Sequence, residues 1–156
     1  MAFVSKFDLK SFIEEQVESL EKSKPTVEKK TLHNTEKESK KTNKIDWQKE
    51  LRLFADADIN KPILKQAYTV TENPQSIDYQ AINTNLKVRN IHIEKENDLV
   101  KKLTIHYKES NHLFEIEKKL SLDLNKNNIT NYQIEIIQEI IFKDKDHYQV
   151  SGKIIQ

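Results

Sequence analysis

Histidines and carboxylates are the side chains of this sequence best suited to chemistry. The histidines are His33, His92, His106, His112 and His147. His92 and His106 lie between apolar neighbours on what read as adjacent strands, so both point to the polar face of a sheet, where they can approach each other. Two imidazoles without a neighbouring Asp or Glu ligand make a weak metal site, and surface histidines without a role are the expected reading. Most of Glu94, Glu115, Glu117, Glu135 and Glu139 alternate outward as a solvated face. Paired acid–base catalysis needs two of them facing one cleft, which spacing alone does not establish. Asp56-Ala57-Asp58-Ile59-Asn60 resembles the start of a calcium loop. An EF-hand requires glycine at the sixth position and a bidentate Glu at the twelfth, and this chain has Lys61 and Ala67 there. A helix C-terminus running into a capped turn is expected instead, with no metal site.

Other chemistries are excluded outright. Gly152 is the one glycine, which removes the P-loop, the dinucleotide fingerprint and the nucleophile elbow. There is no cysteine, so disulfides, thiolate metal sites and cysteine nucleophiles are absent. The pattern His-Glu-x-x-His does not occur. No catalytic residue and no cofactor is expected. Among the aromatic and aliphatic side chains, Tyr107, Phe114, Ile116 and Tyr132 are the candidates for an apolar ligand pocket. The competing reading is that they fill the core against Trp47, Phe54 and Phe12.

The elements that must position these residues follow from periodicity. Residues 7–22 read as a helix, because Leu9, Phe12, Ile13, Val17 and Leu20 line one face. Asp8 is its N-cap, Phe7 staples onto Phe12, Glu18 pairs with Lys22, and Lys24-Pro25 ends it. Residues 26–44 are mostly polar and read as a mobile excursion or hairpin, otherwise a linker, with 26–32 as a possible edge strand. Residues 46–57 read as a second helix, with Asp46 as cap and Trp47, Leu51 and Phe54 on one face. From Ile63 onward the period is two. Strands are expected over 63–71, 77–82, 86–93, 100–107, 114–124, 132–142 and 148–154, with a bulge near Asn90 and a second phase slip after Val100. The links between them are short and rich in Asn and Asp, which replace glycine in tight hairpins. Consecutive strands joined this way form an antiparallel meander.

Composition bounds the function. The 156 residues suit one domain, with 36% hydrophobic and 33% charged residues, which implies a thin, one-sided core. Basic and acidic residues number 26 and 25, and they balance separately in residues 1–62 and 63–156. No basic stripe stands out, and Arg52 and Arg89 are the only arginines, so nucleic acid is not an expected partner. No apolar run is long enough to span a membrane as a helix. Residues 1–6 are too short for a signal peptide and read as a tail or tag remnant.

Phe7-Asp8-Leu9-Lys10, Lys24-Pro25, Asp46-Trp47-x-Lys49-Glu50-Leu51, Phe54 and Ala57-Asp58-Ile59-Asn60-Lys61-Pro62 resemble a family of small uncharacterised cell-envelope lipoproteins of Bacteroidetes-type bacteria. These motifs cover roughly the first 62 residues. The strand region is similar only in pattern. The resemblance implies an exported, lipid-anchored protein, periplasmic or outer-membrane associated, with no assigned activity. The acylated cysteine of such a protein would lie just upstream of Phe7, where this sequence has none. Membrane association would then run only through an anchor outside this chain.

The expectation is therefore a single α+β domain over residues 1–156. Two N-terminal helices pack on a curved antiparallel β-meander of about six to seven strands. A non-catalytic binding or structural module is the leading reading, with an envelope protein as partner and the sheet edges and residues 26–44 as contact surfaces. A carrier of a lipid-like ligand within a half-barrel is the alternative.

Overall fold

Asp8 opens the first helix by accepting hydrogen bonds from the Ser11 backbone N–H at 3.0 Å and the Ser11 hydroxyl at 2.8 Å. These bonds satisfy donors that the first turn leaves open. Helix α1 then runs over Leu9–Ser23 and ends at Lys24 in the left-handed conformation. The Phe7 and Phe12 rings meet at 5.4 Å, and Lys22 pairs with Glu18 at 3.0 Å. The computed structural model that carries these elements describes residues 7–64 and 66–155. The tail assigned to residues 1–6 lies outside the described residues.

Residues 26–44 form a hairpin of β1 (Thr26–His33) and β2 (Glu36–Thr42). The second helical region is split at Leu51 into α2 (Trp47–Glu50) and α3 (Arg52–Asp56). Asp46 still caps it, accepting from the Lys49 N–H at 3.3 Å. The meander follows as β3 (Tyr68–Asn73), β4 (Ser76–Ala81), β5 (Val88–Glu96), β6 (Leu99–Ser110), β7 (Phe114–Asn125), β8 (Asn128–Ile140) and β9 (Asp146–Ile155).

Two expectations are corrected here. The described residues form a nine-stranded antiparallel sheet in the order β2-β1-β9-β8-β7-β6-β5-β4-β3, not one of six or seven strands. The meander supplies seven, and β1 adds the hairpin by pairing with β9. Periodicity does not reveal β2, because every residue from Glu36 to Lys41 is exposed. Its ladder to β1 holds it, not a buried face. The strand expected from Ile63 instead starts at Tyr68. Pro62 fixes φ at the start of a short 3₁₀ turn over Pro62–Leu64, which leaves Ile63 89% exposed.

Two rows of side chains cross the sheet on the helix-facing side. One is Ile77–Ile93–Leu103–Leu122–Tyr132–Gly152 and the other Tyr79–Ile91–Ile105–Leu120–Ile134–Val150. Leu9, Ile13, Leu20, Trp47, Leu51 and Phe54 from the helices complete this core. Trp47 meets Tyr132 edge-on at 5.9 Å, and Gln16 donates to the Asn127 carbonyl at 2.7 Å, tying α1 to the β7–β8 turn. That turn and the β5–β6 turn each place two non-glycine residues at positive φ, Lys126-Asn127 and Asn97-Asp98. This is the type I′ geometry that matches strand twist.

Register shifts occur between Val88 and Asn90, between Glu94 and Lys95, and between Asp123 and Leu124. The first two correspond to the phase slips legible in the sequence. Each extra residue bends its strand and raises the local twist. A wide twisted sheet is saddle-shaped, so each face is concave along one diagonal. The helices fill one concavity and leave the other open.

Candidate functional site

Side chains out of phase with the core form the open face. One row reads Thr104–Ser121–Gln133–Ser151–Lys30–Ser39, and the next Asn90–His106–Lys119–Glu135–Gln149–Leu32–Lys37. Together they line a trough of ≈ 1040 Å³. In a flat sheet β2 and β5 would stand about 29 Å apart, yet both reach this trough. The roll of the sheet makes the hairpin β1–β2 one wall and β5–β6 the other. Strands β7, β8 and β9 form the floor.

Histidines organise the charges of this face. His106 Nε2 lies 2.7 Å from Glu117 Oε2, His147 Nε2 2.7 Å from Glu135 Oε2, and His92 Nδ1 2.8 Å from Asp78 Oδ1. His92 and His106 both face the polar side as expected, but each is taken by its own carboxylate. The hydrogen bond from His106 holds the Glu117 carboxyl below the usual carboxylate range, helped by Lys119 and Lys108. The bond from His147 does the same for Glu135, with Gln149 donating to it at 3.0 Å. A general acid at neutral pH needs the opposite shift. These two groups therefore act as fixed anions.

Asn90 is also engaged, donating to Asp78 at 3.1 Å and to the Tyr79 carbonyl at 2.9 Å, but several groups of the trough are uncommitted. Among the described residues, the side chains of Thr104, Ser121, Gln133 and Ser151 form no hydrogen bond. Among the described residues, Lys30, Lys37 and Lys119 have no carboxylate within ion-pair distance. By contrast Lys29, Lys87, Lys101, Lys102, Lys108 and Lys145 are all paired.

The four side chains singled out for an apolar pocket lie on the other, helix-facing side, and none of them lines the trough. Tyr132 is 1% exposed beneath Trp47, and its hydroxyl donates to Glu50 Oε2 at 2.5 Å. Burial, then that carboxylate, pushes its pKa up. Tyr107 donates to Glu109 at 2.9 Å, carries the Lys118 ammonium 4.5 Å over its ring, and is pushed up to about 12 by burial. Phe114 and Ile116 are half-buried near the start of β7. Ile116 lies about 20 Å along β7 from Leu122, the register partner of Tyr132. The structure therefore does not bring the four to one place. Tyr107 instead lines a smaller hollow of ≈ 470 Å³ with Leu53, Ile59, Tyr68, Leu86, Val88 and Leu120.

The segment likened to a calcium loop serves as a brace. Asn60 Nδ2 donates to the Phe7 carbonyl at 2.6 Å, joining the end of α3 to the start of α1. Among the described residues no group of three or more His, Asp or Glu side chains converges as a metal site.

Sequence reasoning placed His106, Glu117 and Glu135 on the polar face but missed Thr104, Ser121, Gln133 and Ser151, because it followed the apolar phase of each strand. These four become one row only through the register of four strands. Compared with models of known protein families, with curated proteins and with solved structures, the chain matches none.

Proposed function

We propose that this chain is a non-catalytic binding module of the bacterial cell envelope, and that the trough on the open face of its sheet is the binding surface. The observation that carries this reading is the trough itself, ≈ 1040 Å³ of concave space walled by strands distant in the sheet. That volume is at the top of the range for ligand sites. Carboxylates held as fixed anions suit recognition better than proton transfer. The envelope location and the lipid anchor rest on the resemblance of the first 62 residues.

The trough is a better contact surface than the sheet edges. Edge strand β2 carries Lys37, Lys40 and Lys41, and charge on an edge resists the addition of another strand. The test is affinity capture from envelope extract by the intact chain and by a Ser121→Trp, Gln133→Trp variant, whose bulk fills the floor. Matching thermal denaturation establishes that the variant keeps its fold. A component retained by the intact chain and lost by the variant supports the reading. Equal retention by both, or none by either, overturns it.

One observation favours the carrier as a second reading. The ≈ 470 Å³ hollow beside Tyr107 is lined largely by apolar side chains and is large enough for a small apolar ligand. Mass spectrometry of an organic extract of protein purified without detergent tests it. A stoichiometric apolar molecule that disappears in Leu86→Trp supports the carrier, and an empty extract counts against it.

A further inference from the structure

The uncommitted groups of the trough are not randomly placed. Thr104, Ser121, Gln133 and Ser151 are successive register partners on β6, β7, β8 and β9. They form one continuous row perpendicular to the strands, with a rung about every 4.8 Å. Hydroxyls and amides both donate and accept. A row of such groups without intramolecular partners is complementary to a chain whose own groups do both, as sugar hydroxyls do.

The row ends in charge. Ser151 is the register partner of Lys30 on β1. Lys37 on β2 lies diagonal to Lys30, since Lys30 pairs with Ser39 and Lys37 with Leu32. Diagonal neighbours in a sheet are about 7–8 Å apart, so two flexible lysine side chains can converge on one anion. Neither lysine has an ion-pair partner among the described residues, whereas Lys29, Lys101, Lys102 and Lys108 of the sheet do. Three acidic residues line the trough. Glu117 and Glu135 lie off this row and are engaged by His106 and His147, and Glu38, the register partner of Thr31, alternates to the opposite phase of β2 from Lys37 and Ser39. Lys119 is the third cation and stands beside Glu117 and Glu135. No aromatic side chain and no arginine lines the trough, which disfavours nucleobases.

We propose that the trough takes an acidic oligosaccharide. Its hydroxyls lie along Thr104, Ser121, Gln133 and Ser151, and its carboxylate or phosphate sits between Lys30 and Lys37. This rests on the reading of the trough as the binding surface and names the ligand class for it.

The test is titration of the full ¹⁵N-labelled chain with four probes: a short oligogalacturonate, a phosphorylated oligosaccharide, a neutral maltooligosaccharide and an oligoglutamate peptide. The expected result is saturable shifts at residues 104, 121, 133 and 151 with either acidic saccharide, and weaker ones with the neutral saccharide. Comparison of the first two probes tells carboxylate from phosphate. Lys30→Gln with Lys37→Gln should weaken the acidic saccharide about tenfold and abolish its advantage over the neutral one. Lys40→Gln with Lys126→Gln changes the net charge equally away from the trough and should leave affinity unchanged. If oligoglutamate shifts the trough residues and no saccharide does, the ligand class is overturned while the binding surface stands. If the control pair weakens binding as much as the Lys30 and Lys37 pair, the attraction is nonspecific and the proposal falls. If no probe shifts the trough residues, the ligand class is overturned, and loss of the envelope capture then overturns the binding surface as well.

Discussion

At the scale of single residues, the tightest constraint is at Gly152. Its α-carbon lies under the ring of Tyr132, its register partner on β8. A β-carbon there would enter the aromatic ring, which is pinned by Trp47 and by the hydrogen bond to Glu50. The only glycine of the chain is thus explained by close approach and not by backbone conformation. Gly152→Ala is expected to cost about 1–3 kcal/mol through overpacking, seen as a lower urea midpoint with an unchanged slope. The histidine-bound carboxylates make a second expectation at this scale. Glu117 and Glu135 have lowered pKa values in the folded chain. Their contribution is therefore complete above the ordinary carboxylate value of 4.5. It is lost as pH falls through the lowered folded values. The double variant Glu117→Gln, Glu135→Gln should lose less stability than the intact chain between pH 7 and about pH 3, measured by urea denaturation at both.

Among the elements, the β1–β2 hairpin decides the most. It widens the sheet from seven strands to nine and builds one wall of the trough. Besides the ladder of β1 to β9, two kinds of side-chain contact hold it. Lys29 reaches Glu50 at 3.0 Å, on the same carboxylate that receives Tyr132. At the other end, Asn34 adopts positive φ in the hairpin turn, accepts from the His147 N–H at 2.9 Å and donates to Asp146 at 3.0 Å. Asn34→Ala removes both bonds and strains the turn, since alanine tolerates the left-handed region poorly. A loss of about 1–2 kcal/mol is expected. Hydrogen exchange should localise it, with amides of β1 and β2 opening faster and those of β6 and β7 unchanged. Uniform acceleration across the sheet would mean that the hairpin is not a separately opening unit.

Taken as a whole, the described residues form one sheet with two faces of opposite character and with β2 and β3 at its edges. The helices cover one face, and charge guards the edge at β2. Replacing Glu38 and Lys40 by valine would give that edge an apolar stripe on its helix-facing side without touching the lysines of the trough. The expected outcome is concentration-dependent association by light scattering, because an exposed apolar edge templates further pairing. The same architecture separates the trough from the hollow beside Tyr107, so the polar ligand proposed for the first and the apolar ligand proposed for the second would not compete. Filling one should leave binding at the other intact.

Much of this fold was written into local sequence. Asp8 and Asp46 marked helix starts, the alternation of Leu120, Leu122 and Leu124 marked a core-facing strand, and the slips near Asn90 and Val100 marked bulges. Each is a short-range signal, set by the 3.6 and 2.0 residue periods and by capping chemistry. Three things were decided only in three dimensions. Strand β2 has no buried face to leave a periodic trace, so its pairing with β1 is what makes it a strand. Tyr107, Phe114, Ile116 and Tyr132 share a face by register but not a place, because distance along β7 and the packing of Trp47 separate them. The trough joins Lys37 to His106 across the whole roll of the sheet. Alternation tells which face a side chain takes. How far that face curves, and which distant rows it draws together, depends on the summed twist of nine strands and on where the helices dock.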